Sequence, residues 1–587
     1  MRHALLLMVL VVVAGCGLVP RGDRSPPGHV WRGDLSRVSQ HNGPAQVPVA
    51  VARDGRYILT TDDQHAGLYL TDTRTSATLT INREWNAGYY PGFSPDGRFV
   101  FFKTFRARAE GYDQAAMSYD IRRKETSSLS GWVRHAGTPT ATDDGLIAWV
   151  ADDTLYLRSE QSGDFHIRGD GNRIPLAPHQ LGSTPNVIEL SPDGNKVAYP
   201  NADDQIEVLY LVTGERRVVT DGKFAYWGPR FSHFGNRMLS RTINDKIVGI
   251  DLATLENRVL GTGEDPLWLD NDRFVFVEWE GGVRSASFHD GATSVKKMGR
   301  IGIRWWALSG RFIASQKGDN VWLHEIGESR VRDIDGYLRA PSEDPPIVEP
   351  TEWPREMRED GSRVAKRLVD LPDSREIVGV PYLNQVWDLP DGYPGEWACN
   401  ASSAVMCLAY HGAVPPRPID VTRPAPRRSN FGHYVTEPYT VAGHTFDTGS
   451  PGPDKKPVRG GYGYIVRDEW KDTKHYMRDY FRLHGLESKT DWEPSFAKAQ
   501  REIDAMNPLV VLHSITLAGH YVTCIGYDKG GRRTLVVNDP YGNKNTREYP
   551  TIDGRRARYD LPGSNNGFQN LRIVHCFITT GKANSGE

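Results

Sequence analysis

The chain has 587 residues, 25% of them charged and 39% apolar, with a formal net charge of -2. That length is too great for a single core, so two or more domains are expected. The near-neutral balance gives no case for nucleic acid or a polybasic membrane surface, and five cysteines in so long a chain exclude a disulfide-stapled scaffold.

The chain opens on an export signal. Arg2 supplies a positive charge, and the apolar run from Ala4 to Ala14 is too short to span a bilayer as a mature helix. The run ends in Val13-Ala14-Gly15-Cys16, which resembles the lipobox of bacterial lipoproteins. That resemblance implies that residues 1–15 are removed as a signal peptide and that Cys16 is lipidated. The protein would then be membrane-anchored in the cell envelope, on the periplasmic side of an outer membrane or on the extracellular face. Residues 16–44, with Pro20, Pro26 and Pro27, read as the lipidated cysteine and its tether.

Over residues 45–335 a turn followed by a strand recurs. Asp54-Gly55, Asp96-Gly97, Asp144-Gly145, Asp193-Gly194, Gly235, Asp272 and Gly310 each precede a run of β-branched and aromatic residues, such as Phe99-Val100-Phe101-Phe102. Glycine accepts positive φ and aspartate bonds its own backbone, so the pair makes a tight turn. The spacing drifts around roughly 40 residues, the length of a four-stranded blade. Ser94-Pro95-Asp96-Gly97 and Ser191-Pro192-Asp193-Gly194 resemble turns of Tol-type and WD-like β-propellers, which implies an all-β propeller. Seven marks point to seven blades, with six as the alternative because the last two marks are degenerate. Trp268, Trp305 and Trp306 read as packing between blades. No histidine cluster has metal-ligand spacing and no glycine-rich phosphate loop is present, so neither a metal nor a cofactor is expected. Residues 336–375 alternate prolines with charges and read as a linker, in which Arg355 to Leu371 has the composition of a polar helix.

The chemistry lies in residues 376–587. Gly379 to Gln385 reads as a short apolar strand ending in an amide. Cys399 opens a helix with Ala401, Ala404, Val405 and Leu408 on one face, closed by Gly412 with Pro415 and Pro416 beyond. The positive end of a helix dipole favours a thiolate over a thiol. Leu509 to Ser514, His520 to Asp528 and Thr534 to Asp539 read as strands, with Gly530-Gly531 turning between the last two. Counting outward from that turn sets residue 522 opposite 539. His520 and Asp539 are then diagonal neighbours on one face, about 7 Å apart at Cβ, unless a bulge intervenes. A thiol, an imidazole and a carboxylate in this order are the parts of a cysteine-nucleophile enzyme.

Four motifs in order, Val380-Pro381-Tyr382-Leu383-Asn384-Gln385, Cys399 with Ala404 to Gly412, Gly519-His520-Tyr521-Val522, and Asn538-Asp539-Pro540, resemble the papain-like peptidases related to bacteriocin leader-processing enzymes. The resemblance implies an α+β papain-like cysteine peptidase domain behind the propeller. It implies that Cys399 is the nucleophile, His520 the general base and acid, Asp539 the group that orients His520, and Gln385 part of the oxyanion hole. A peptide or protein would be the substrate, with the propeller recruiting it or a partner. The chain departs from many relatives at Asn400-Ala401, where they carry Gly-Pro. It also carries a long insertion, Ala413 to Tyr476, that reads as a substrate wall, a lid or a cover for the sheet. Cys407, Cys524 and Cys576 read as core thiols, and His433, His444, His475 and His484 as loop or surface residues. Two alternatives stand beside the peptidase: an amidase or acyl transferase with the same triad, and a catalytically inactive binding protein.

Overall fold

In the computed structural model, seven four-stranded antiparallel sheets are found among the described residues, spanning 47–82, 92–128, 140–175, 189–218, 226–262, 264–300 and 306–327. The described residues are 34–41, 47–159, 173–175, 186–327 and 366–582, less short breaks at 63, 109–110, 280, 302–305, 318–319, 394, 449, 452–456, 469–470, 517, 530–532 and 547–548. The signal peptide, Cys16 and most of the linker lie outside them. The sheets are the blades of a seven-bladed propeller, and the six-bladed alternative falls. First strands of neighbouring blades touch around the ring axis. Blade 7 supplies only three strands of its own; Asp34–His41 is its fourth, antiparallel to Asn320–Gly327. The expected tether therefore ends before residue 34 rather than at 44. That strand, Asp-Leu-Ser-Arg-Val-Ser-Gln-His, has neither a turn mark nor an apolar run to announce it.

The turns close as their residues dictate. Ser94 Oγ donates to Asp96 Oδ1 (2.6 Å), which also accepts from Arg98 N (3.1 Å), while Gly97 takes φ 69°. Ser191, Asp193 and Gly194 repeat the arrangement. Trp268 and Trp306 are buried as expected, and Trp305 lies outside the described residues.

The C-terminal domain is built on an eight-stranded sheet. Its path runs Arg367–Asp370, Ser374–Val378, His520–Asp528, Leu509–His513, Val574–Ile578, Thr490–Asp491. Thr534–Asn538 also pairs with His520–Asp528 and carries Ala557–Asp560 on its far side. Two expectations are corrected here. Arg367–Asp370 is a strand paired with Ser374–Val378, so the sheet begins inside the expected linker and the polar helix does not reach Leu371. Gly379 to Gln385 is unpaired chain, because its polar groups are taken by side chains and by the Asp539–Pro540 backbone instead of a ladder.

The expected helix is α1, Cys399–His411, stopped by Gly412 at φ 76°. It is buried on nearly every side. Ser403 ties it to the sheet, its Oγ donating to Tyr521 O and its carbonyl accepting from Thr523 Oγ1, both at 3.0 Å. From the insertion, α2 (Gly432–Thr436) and α3 (Gly460–Ile465) pack on α1. His433 and His484, expected at the surface, are buried with Tyr434, Tyr439, Phe446 and Tyr480. Burial pushes both imidazoles down to about 4, and as neutral rings they pack like aromatics.

The domains meet on the propeller face that carries the blade-to-blade connections. Tyr90 OH accepts from Gly563 N (3.1 Å), Trp85 Nε1 donates to Gly567 O (3.2 Å), and Val574 N donates to Ile243 O (2.8 Å). Arg572 pairs with Glu264 at 3.1 Å and Arg134 with Asp373 at 2.9 Å.

Candidate active site

No side chain caps α1 at Ala398, so the positive end of the helix dipole is left at Cys399. Cys399 is partly exposed, whereas Cys407, Cys524 and Cys576 are buried free thiols, as expected. Burial pushes Cys524 and Cys576 up to about 12 and raises Cys407 as well. Among the described cysteines, Cys399 alone is open to a reactant.

His520 begins the strand that lies under α1. Its Nε2 is 2.7 Å from Asp539 Oδ1, with the imidazole 5% exposed and the carboxylate wholly buried. With Nε2 taken by Asp539, the ring's other nitrogen is Nδ1, and the Cys399 thiol lies close enough to the ring to raise it. Burial alone would push the imidazole down. The charge of Asp539, its hydrogen bond and the thiol outweigh that and raise it to about 10. At neutral pH the ring is an imidazolium.

The strand pairing that sets this contact has an unexpected origin. Near the turn, Gly526 faces Val536 and Tyr527 faces Leu535, one residue out of the expected register. A bulge at Ile525 takes up that residue, and Cys524↔Val537 and Thr523↔Asn538 are in the expected register.

Asp539 carries a full set of donors. Oδ1 also accepts from Tyr541 N (2.9 Å), and Oδ2 accepts from Tyr559 OH (2.6 Å) and Tyr549 OH (3.2 Å). Four donors on two oxygens fill a carboxylate and fix its plane. The Asp539 backbone is held equally: its N–H donates to Gly554 O and its carbonyl accepts from Tyr382 OH at 2.9 Å. A Cβ on Gly554 would collide with the Asp539 carbonyl, so that close approach requires glycine.

Gln385 bridges the two halves of the site. Its backbone N–H donates to Pro540 O (2.8 Å), and its side-chain Nε2 donates to Gly395 O (2.9 Å) and Glu396 O (2.7 Å), in the 3₁₀ turn Gly395–Trp397 just before Cys399. Both amide hydrogens are thus engaged, and Oε1 is buried without a hydrogen-bond partner. Donation to an oxyanion would require one of these carbonyl contacts to be released.

Three groups escaped the sequence reading. Tyr549 and Tyr559, 10 and 20 residues after Asp539, carry no local signal in the sequence; burial and then Asp539 hold both well above the usual phenol range. His513 lies directly opposite His520 in the ladder, with ring centroids 5.6 Å apart. Burial pushes His513 well down, and its Nδ1 accepts from Ile515 N, so it stands beside the imidazolium as a neutral ring. Among the described residues no group of three or more His, Cys, Asp or Glu side chains could hold a metal, and no helix is long and apolar enough to cross a membrane.

Residues 377–563 match the Peptidase_C39 like family. The match takes in Gln385, Cys399, His520 and Asp539, and it makes this a cysteine-peptidase-like domain. It stops at residue 563, so most of the segment that meets the propeller lies beyond it. No curated protein matches the chain.

Proposed function

We propose that the protein is a thiol hydrolase that cleaves amide bonds of a peptide or protein substrate, exported and held in the cell envelope through a lipid on Cys16. One observation carries the chemical part. His520 binds a fully satisfied carboxylate through Nε2, and the only accessible described thiol lies close enough to raise its imidazole. In that arrangement the imidazole stands where it can hold the thiol proton while the Cys399 sulfur attacks.

The Cys399 sulfur adds to the amide carbonyl, and the carbonyl π electrons move to oxygen. The backbone N–H of Cys399 receives the oxyanion, joined by Gln385 Nε2 if it leaves a carbonyl of the 3₁₀ turn. The C–N bond breaks as the imidazolium passes its proton to the leaving amine, leaving a thioester. Neutral His520 then takes a proton from water; the hydroxide carbon bond forms, the C–S bond breaks, and the thiolate–imidazolium pair returns with a carboxylic acid released. Asp539 fixes the tautomer throughout. The propeller face that meets the peptidase-like domain is occupied within the chain, so recruitment of substrate or partner falls to the opposite face, where the Asp-Gly turns lie.

The test is the pH dependence of Cys399 alkylation by iodoacetamide, read by peptide mass spectrometry in the wild type and in His520→Ala. Rapid labelling well below pH ~8.5, lost in the variant, is expected. Labelling that follows an ordinary thiol in both would leave a two-domain binding protein.

A further inference from the structure

Lys103 is the only buried lysine among the described residues, and it lies far in sequence from the candidate active site. It projects from the strand Phe99–Ala107 of blade 2. Its Nζ is 2.7 Å from Gln114 Oε1, 2.7 Å from Ala136 O, 2.7 Å from Asn186 Oδ1 and 2.5 Å from Asn565 O. The first three oxygens come from the propeller and the fourth from the peptidase-like domain. Burying an ammonium is costly unless its hydrogens are bonded and an opposite charge is near. Burial pushes the Lys103 ammonium down to about 7, and the charge of Asp560, which belongs to the peptidase-like domain, partly opposes that. The lysine thus gathers three propeller oxygens around one ammonium and ties the neighbouring domain to them through Asn565.

From Asn565 a short chain of contacts leads to the active site. Asn566 donates to both oxygens of Asp560, from N to Oδ2 (2.6 Å) and from Nδ2 to Oδ1 (3.2 Å). Thr534 Oγ1 adds a third donor at 2.6 Å. Asp560 ends the strand Ala557–Asp560, and the residue before it is Tyr559, whose hydroxyl donates to Asp539 Oδ2. The strand is locked in register with Thr534–Asn538, the strand that delivers Asp539.

We propose that Lys103 is a positioning residue for the hydrolase, its hold on Asn565 keeping Asn566 on Asp560, and so keeping Tyr559 against Asp539 and Asp539 against His520. The proposal rests on the hydrolase reading. It gives the propeller a part in the chemistry, separate from recruitment.

Two variants of the full chain test it: Lys103→Met, which keeps the length and removes the charge, and Asn566→Ala, which breaks the chain without altering the propeller. Each is expected to slow Cys399 alkylation at pH 6 by about tenfold, the scale of coupling through a packed network, and to move the profile toward an ordinary thiol. Arg134→Ala, which loses an ion pair across the same interface to Asp373 and no contact with the loop that holds Asp560, is expected to keep the wild-type profile. That separates positioning from general loosening of the interface. If Lys103→Met does not fold, as judged by far-ultraviolet circular dichroism, Asn566→Ala carries the same expectation. A folded Asn566→Ala or Lys103→Met protein with the wild-type profile overturns the proposal and leaves the hydrolase reading standing. An ordinary-thiol profile in the wild type overturns both.

Discussion

The exposed carboxylates of the propeller turns and the buried carboxylate of the peptidase-like site are satisfied in opposite ways. At Asp96 the partners are Ser94 and the Arg98 N–H, two residues away on either side, and Asp193 does the same with Ser191 and Asn195. At Asp539 the donors are His520, Tyr541, Tyr549 and Tyr559, and the backbone carbonyl is held from Tyr382, 157 residues earlier. The first kind of site is written locally and repeated from blade to blade, so any one copy is expendable. The second exists once and only after the whole domain has closed around it.

That difference sets a graded series of expected effects. Asp539→Ala strips the partner from a buried imidazolium and two buried phenols and is expected to cost about 3–5 kcal/mol of stability, read as a lowered midpoint in urea. The pH dependence of stability should carry the same signature. His520 is raised in the folded state, so its contribution is fully present below its ordinary value of 6.5 and is lost as pH rises through about 10. The melting temperature of the wild type relative to His520→Ala is expected to fall across that window; a difference independent of pH would mean that the pair is not charged. Tyr559→Phe removes one donor of four and leaves the ring in place. A loss of about 1–3 kcal/mol is expected, with slower Cys399 alkylation at pH 6. At the other extreme, Arg53 and Asp143 form a 3.2 Å ion pair across the propeller, with side chains 54% and 68% exposed. Arg53→Ala is expected to change the denaturation midpoint by less than about 1 kcal/mol. An effect as large as that of Tyr559→Phe would show that the turns of the propeller are not independent.

What could be read from the sequence follows the same division. Asp-Gly turns and the apolar runs after them gave seven blades, because each blade's signal lies within a few residues. Cys399, His520 and Asp539 were legible because a helix start and a hairpin are also local objects. Even there the register depended on the bulge at Ile525, which has no mark in the sequence. The engagement of both Gln385 hydrogens by Gly395 and Glu396 was not legible, since it depends on where a glycine lets two backbones approach. Nor was the burial of His433 and His484, which is decided by tyrosines scattered from 434 to 480. The segment around Asn565 and Asn566 reads as an ordinary polar loop, and its role depends on a lysine more than 450 residues earlier.

The strand that closes the ring has a mechanical consequence. Asp34 pairs with Gly327 and His41 with Val321, so the chain leading into the strand and the chain leaving blade 7 depart from the same end of the pair. Tension between those two points would load the hydrogen bonds one after another, as in opening a zipper, rather than all together in shear. An anchor at Cys16 would pull on that end. Between residues 16 and 34 the chain can reach at most about 60 Å. Within that distance of the anchor the clasp carries no load, and beyond it the propeller would open from its last blade inward.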